Sequence, residues 1–189
     1  GRRRTPLMHH WRRLALTAVL AMIPVPAVAC RLALVLAVDV SVSVDQRDYS
    51  LQRDGLASAL RAPEVVSAFL SSASPVALAA YEWSGPSHQR IILDWMLITG
   101  VDDMHQAAAT IITSLRYQIG STSMGQALGF GADLLAQAPS CGRQTLDVSG
   151  DGRNNDGASP EVVYRDRAFD GITVNALAVG GSEPLDSLV

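Results

Sequence analysis

Asp39, Ser41 and Ser43 stand at alternate positions at the end of an apolar run, "LALVLAVDVSVS", so an extended turn can direct all three side chains toward one point. Thr122 lies in a short "GSTS" loop ahead of a helical stretch, and Asp151 ends a second strand-like run, "QTLDVSGD". Two carboxylates and three hydroxyls make a hard, all-oxygen set. It suits Mg²⁺ or Mn²⁺, with Ca²⁺ as the other hard candidate, and offers nothing soft for zinc or copper. Magnesium takes six ligands and keeps several waters, so such a set leaves a coordination position for an acidic group from a partner.

Other chemistries find less support. An aspartyl phosphotransferase with its nucleophile at Asp39 needs a second carboxylate two residues on, where this chain has Ser41. Neither a G-x-S-x-G elbow nor a phosphate-binding GxxxxGK[ST] loop occurs, and the chain has no lysine. No histidine follows Ser149-Gly150-Asp151 to complete a triad, and His88 and His105 read as solvated surface residues. The expectation is a binding module and not an enzyme. The alternatives are a metal-assisted hydrolase of phosphate esters or peptides, and a structural domain with a silent site.

Strand-like and helix-like stretches alternate, as in an α/β sheet with helical crossovers. Strands are expected at Leu32 to Val38, Val76 to Trp83, "QRIILDWMLI", Gln144 to Asp151 and "ITVNALAVG". The five-residue link "SGPSH", Ser84 to His88, is too short for a crossover, so the second and third strands form an antiparallel hairpin. Ser43 reads as the cap of a helix from Val44 to Leu60, and Glu64 to Leu70 as a short extra turn or helix. Further helices are expected from Asp102 to about Tyr117, with Ile111, Ile112 and Leu115 inward, from Ser123 to Gln137, and from Pro160 to about Phe169. Asp45 and Asp48 read as first-turn acids favoured by the helix dipole.

The first 29 residues read as a secretory signal peptide: Arg12 and Arg13, an apolar stretch from Leu14 to Val25, then Ala27-Val28-Ala29 before Cys30, with Met8 as the true start. The apolar stretch is too short to span a bilayer unaided, so no membrane span is expected after cleavage. Residues 30–189 then form one domain, exported to the periplasm or secreted. It stops about ten residues after the fifth strand, where doubly wound domains usually continue, so truncation at the C-terminus is expected. From Cys30 onward 10 arginines face 18 acidic residues, a net charge of −8, which disfavours nucleic acid and anionic lipid as partners. The two cysteines, Cys30 and Cys141, favour one disulfide in an oxidising compartment; the competing reading lipidates Cys30. No pattern in the chain sets its oligomeric state.

Taken together, "DVSVS" at 39 to 43, "GSTSMGQAL" at 120 to 128 and "DVSGDG" at 147 to 152 resemble the von Willebrand factor A (VWA) domain with its metal-ion-dependent adhesion site, or MIDAS. More narrowly, "EWSG" at 82 to 85, the cysteine after the signal and "DVSGDGRNN" look like the DUF1194 family of exported bacterial proteins. The resemblance implies a Rossmann-like, mostly parallel sheet of order 3-2-1-4-5-6 with the third strand antiparallel. It implies that Asp39, Ser41, Ser43 and Thr122 ligate a cation directly or nearly so, Asp151 acts chiefly through water, and a protein partner supplies a carboxylate. It also sets the first and fourth strands side by side, which brings Cys30 and Cys141 within bonding reach. Glu82, Trp83, Asn154 and Asn155 then fall near the metal edge as candidate partner contacts, although a core tryptophan, a solvated acid and turn-forming asparagines are equally compatible with those positions.

Overall fold

The computed structural model describes Gly1 and residues 30–117, 120–151, 153–167 and 169–178. The expected signal peptide and the last residues of the chain lie outside the described residues, apart from Gly1.

Five strands form one sheet in the order β3-β2-β1-β4-β5. β1 (Leu32–Asp39) lies at its centre, parallel to β2 (Val76–Trp83) and β4 (Gln144–Gly150). β5 (Ile172–Ala178) extends the parallel half, and β3 (Gln89–Ile98) pairs antiparallel with β2 through the Ser84–His88 turn. The short link therefore formed the hairpin its length required. β2 is buried along its whole length, as a run apolar on both faces demands.

Helices α1 (Gln46–Ala59), α2 (Pro63–Phe69) and α3 (Val101–Ile112) precede α4 (Met124–Ala136) and α5 (Pro160–Asp166). On one face Met124, Leu128, Leu135 and Val163 close over Val35, Tyr81, Leu146 and Val148. On the other, Ala57, Leu60, Met104 and Ile111 pack on Leu78, Ala80, Leu93 and Ile98. The two layers cover the central strands from both sides, while β5 stays largely exposed, and leave the strand ends free for chemistry. An open apolar groove of about 540 Å³ runs between α1 and the β4–β5 half of the sheet, lined among others by Leu51, Leu56, Val148 and Leu177. Among the described residues no helix is long and apolar enough to cross a membrane.

Two helix boundaries depart from the sequence expectation. Asp45, not Ser43, caps α1: its side chain accepts the Asp48 amide at 2.8 Å. α3 stops at Ile112, where the Thr113 and Ser114 hydroxyls turn back onto the carbonyls of Ala109 and Ile111, at 2.8 Å each. Leu115 consequently stands 79 % exposed instead of facing inward, and Ile112 lies at the surface too.

Cys30 and Cys141 are joined in a disulfide with their Cα atoms 4.5 Å apart, just ahead of β1 and β4. Gly142 donates its amide to the Cys30 carbonyl at 2.9 Å, which continues the parallel pairing through the bridge.

α4 meets the Ala158–Ser159 backbone at Gly125, where an added Cβ would lie 2.1 Å from the Ala158 carbonyl oxygen. Backbone cannot rotate away as a side chain can, so Gly125→Ala is expected to cost about 2–4 kcal/mol. Gly55→Ala on α1, where an added Cβ meets nothing within 4 Å, is the matched control and is expected to be neutral or mildly stabilising. Thermal melting of both variants checks the pair; equal midpoints would refute the close approach.

Candidate metal centre

β1 delivers Asp39 to the carboxyl edge of the sheet and buries it completely, at 0 % exposure. One carboxylate oxygen, Oδ1, accepts the Ser41 amide at 2.7 Å; the other lies 3.4 Å from the Asp151 amide. Burial pushes the Asp39 carboxyl up to about 6, and the Asp151 charge adds to the rise. Hydrogen bonds from the Ser41 hydroxyl and amide and from the Asp151 amide pull in the opposite direction.

Because Asp45 takes the cap of α1, Ser43 is released to the site. Its hydroxyl donates to Asp151 Oδ1 at 2.7 Å and lies 3.0 Å from Ser41 Oγ. The parallel register sets Ala37 beside Val148 and so brings Gly150 level with Asp39. A Cβ at Gly150 would stand 3.4 Å from Asp39 Oδ2, 3.1 Å from Met124 Cε and 3.5 Å from Trp83 Cζ2, so a residue without one lets β4 end against the carboxylate.

Thr122 is buried in the loop that leads into α4. Backbone contacts carry that loop to the same edge: Val42 donates to the Gly120 carbonyl at 2.8 Å, and Asn155 donates to the Thr122 carbonyl at 2.9 Å. Asp39, Ser41, Ser43 and Asp151 are thus linked by direct hydrogen bonds, and Thr122 is tied to them through its loop. Among the described residues no group of three His, Cys, Asp or Glu is gathered anywhere. Two carboxylates with neighbouring hydroxyls, one of the acids in a place that disfavours its charge, form a donor set that fits a hard divalent cation.

A family model described as "Protein of unknown function (DUF1194)" matches residues 29–188. The chain belongs to the DUF1194 family. No curated protein matches the chain. Among solved structures, this DUF1194 chain is similar to proximal thread matrix protein 1 (PTMP1) of the mussel byssus, at 18 % identity and a TM-score of 0.61, over 79 % of this chain and 38 % of that one. A second PTMP1 structure, 16 % identical, is described as having a zinc-occupied MIDAS motif. The von Willebrand factor type A protein of Catenulispora acidiphila is 17 % identical with a TM-score of 0.53, over 78 % of this chain and 33 % of that one. Pilus adhesin SpaC of Lactobacillus rhamnosus GG is 17 % identical with a TM-score of 0.50, over 66 % of this chain and 16 % of that one. The DUF1194 chain therefore spans well under half the length of each. These likenesses, with the order β3-β2-β1-β4-β5 and its one antiparallel pair, show the VWA fold.

The structure corrects one expectation about the rim of the site. Glu82 and Trp83, 2 % and 0 % exposed, end β2 beneath the edge, so neither presents a surface to a partner. Asn154 and Asn155 are engaged in holding the Thr122 loop: their side-chain oxygens accept the amides of Gly125 at 3.2 Å and Thr122 at 2.9 Å. His88 is not a solvated residue but is half-buried between Gly85 and Gly120, with Nδ1 about 3 Å from where a Cβ on either would lie. Sequence reasoning missed Arg116, whose guanidinium reaches the backbone of the Asp39–Ser43 loop; an arginine in a linker carries no local signal for that contact.

Proposed function

We propose that this protein is an exported binding module in which Asp39, Ser41, Ser43, Thr122 and Asp151 hold a divalent cation that captures an acidic group of a protein partner. The observation that carries this reading is the hydrogen-bonded chain from Asp39 through Ser41 and Ser43 to Asp151 at the carboxyl edge of the sheet. A bound cation would supply positive charge and an open coordination position for a carboxylate. The two aspartates would hold it, and the neutral hydroxyls would complete its shell without cancelling its remaining charge. Val42, 71 % exposed between the two serines, offers the partner an apolar contact beside that position.

The zinc-occupied MIDAS of a PTMP1 structure supports a divalent ion, with Mg²⁺, Mn²⁺ and Ca²⁺ the hard-ion candidates. Matrix and adhesin proteins among the structures of like fold support binding over catalysis. Export rests on the signal-like first 29 residues, and a disulfide between Cys30 and Cys141 agrees with an oxidising compartment.

Melting curves with Mg²⁺, Mn²⁺, Ca²⁺, Zn²⁺ or chelator test the reading in wild type and Asp39→Ala. A cation at about 100 times its Kd adds about 2.7 kcal/mol, so the wild-type midpoint is expected to rise by several degrees and the variant's to stay put. Capture of acidic protein ligands on the immobilised chain is expected to follow the same pattern. A wild-type midpoint indifferent to every cation would sink the proposal.

A further inference from the structure

The turn that carries Ser41 and Ser43 is held from behind by the segment Ser114–Tyr117, which leaves the end of α3. Arg116 Nη2 donates to the carbonyls of Val40 at 3.0 Å, Ser41 at 2.8 Å and Val44 at 2.5 Å. A tight turn gathers these three carbonyls around the one Nη2 amino group, which shares its two N–H bonds among them. The same guanidinium lies 5.5 Å from the centre of the Tyr49 ring, which limits its freedom to swing away.

Tyr49 is anchored in turn. Its hydroxyl donates to Glu82 Oε1 at 2.7 Å, and Glu82 Oε2 accepts Arg90 at 3.0 Å. Arg90 also donates to the Leu115 carbonyl and stands 5.1 Å from the Tyr117 ring centre. Glu82, nearly inaccessible at the end of β2, thus restrains both neighbours of Arg116 and the ring beneath it. These linked contacts leave the Nε atoms of Arg90 and Arg116 without partners, yet through Glu82 and the guanidinium ends they tie the turn to β2 and to the Leu115–Tyr117 segment at several points, which restrains its shape.

We propose that Arg116 is the positioning residue of the cation site: by binding the Val40, Ser41 and Val44 carbonyls it sets the turn that aims the Ser41 and Ser43 hydroxyls, with Glu82 as its anchor. This assignment rests on the cation-site reading above. Outer partners of metal ligands typically change affinity by about 10- to 100-fold when removed, and Arg116 falls in that class although it touches backbone and not a ligand side chain.

Calorimetric titration of the full chain with Mn²⁺, paired with melting in chelator, tests it in wild type, Arg116→Ala, Arg116→Lys and Arg53→Ala. Arg53 also lies over Tyr49, at 5.6 Å, but its hydrogen bonds go to Asp54 and the Ser114 carbonyl instead of the turn. Arg116→Ala is expected to weaken Mn²⁺ binding by about 10- to 100-fold, Arg116→Lys to recover part of the loss, and Arg53→Ala to bind as wild type. Should Arg116→Ala fail to fold, Arg116→Lys is expected to bind at least several-fold more weakly than wild type while keeping its chelator midpoint within a few degrees.

Wild-type affinity in both folded Arg116 variants, with only a lower melting point in chelator, would mark the arginine as structural and overturn the assignment. An equal loss in Arg53→Ala would place the effect in the Tyr49 stack and overturn it as well. If wild type itself binds no cation, the site reading fails and the assignment falls with it; if wild type binds and the Arg116 variants match it, the assignment alone fails.

Discussion

Asp39→Asn is expected to raise the melting temperature of the cation-free protein at neutral pH and to abolish its response to divalent cations. Asparagine keeps the oxygen that accepts the Ser41 amide and removes the buried charge. Asp39 has a carboxyl raised from 3.8 to about 6, mainly by burial, so folding favours its protonated form. The sign follows directly: below about pH 4 the acid is protonated in both folded and unfolded chains and costs nothing. Between about pH 4 and 6 the folded state binds more protons than the unfolded one, so stability falls as pH rises. Above that window the deficit is constant at about 3 kcal/mol, the free-energy equivalent of the displacement for a wholly buried group.

Melting curves in chelator from pH 4 to 8 read this out as a difference between wild type and variant, which cancels the titration of other groups. The gap should open through pH 4–6 and reach about 5–10 °C at pH 7.5 for a domain of this size. Saturating cation should reverse the order, because only the wild type retains the charge that binds it. Parallel curves across the range would show that Asp39 carries no such burden.

Reduction of the Cys30–Cys141 disulfide is expected to produce the other large effect. The bridge spans a sequence separation of 111, and closing a loop of that length removes unfolded-state entropy worth about 4–5 kcal/mol. Reductant, or the double change Cys30→Ala with Cys141→Ala, should therefore lower the melting temperature by about 10–15 °C. The bridge stands at the amino end of β1 and the candidate site at its carboxyl end, eight strand residues or about 25 Å away. The reduced protein should accordingly keep its upward shift with cations from a lower baseline. An unchanged midpoint under full reduction would contradict the entropic contribution, and a lost cation response would contradict the separation of the two ends.

The hairpin, the central strand and the arrival of Asp39 at a strand end were legible because each depends on neighbours in sequence. A run apolar on both faces must be covered on both, and a five-residue link cannot carry a crossover. The same local rules made Ser43 an equally good helix cap. Only its partner across the fold decides otherwise: with Asp45 available two residues later, the hydroxyl of Ser43 reaches Asp151, 108 positions along the chain. Glu82 and Trp83 misled for a related reason. A strand end looks like a surface until its neighbours are placed, and here Trp83 packs into the core that includes Met124 while Tyr49 and Arg90 engage Glu82.

The sequence by itself determined the order of elements and picked out the five oxygen-bearing residues proposed to form the site. Composition and spacing act through the hydrophobic period and through donor chemistry, both of which can be read along a single strand. Tertiary structure alone decided that Asp39 is buried beside Asp151, that Glu82 turns inward to Tyr49 and Arg90, and that Arg116 braces the turn from behind. Those contacts join residues far apart in the chain, and the hydrogen-bond partner of a polar group depends on distance in space, which no local pattern encodes.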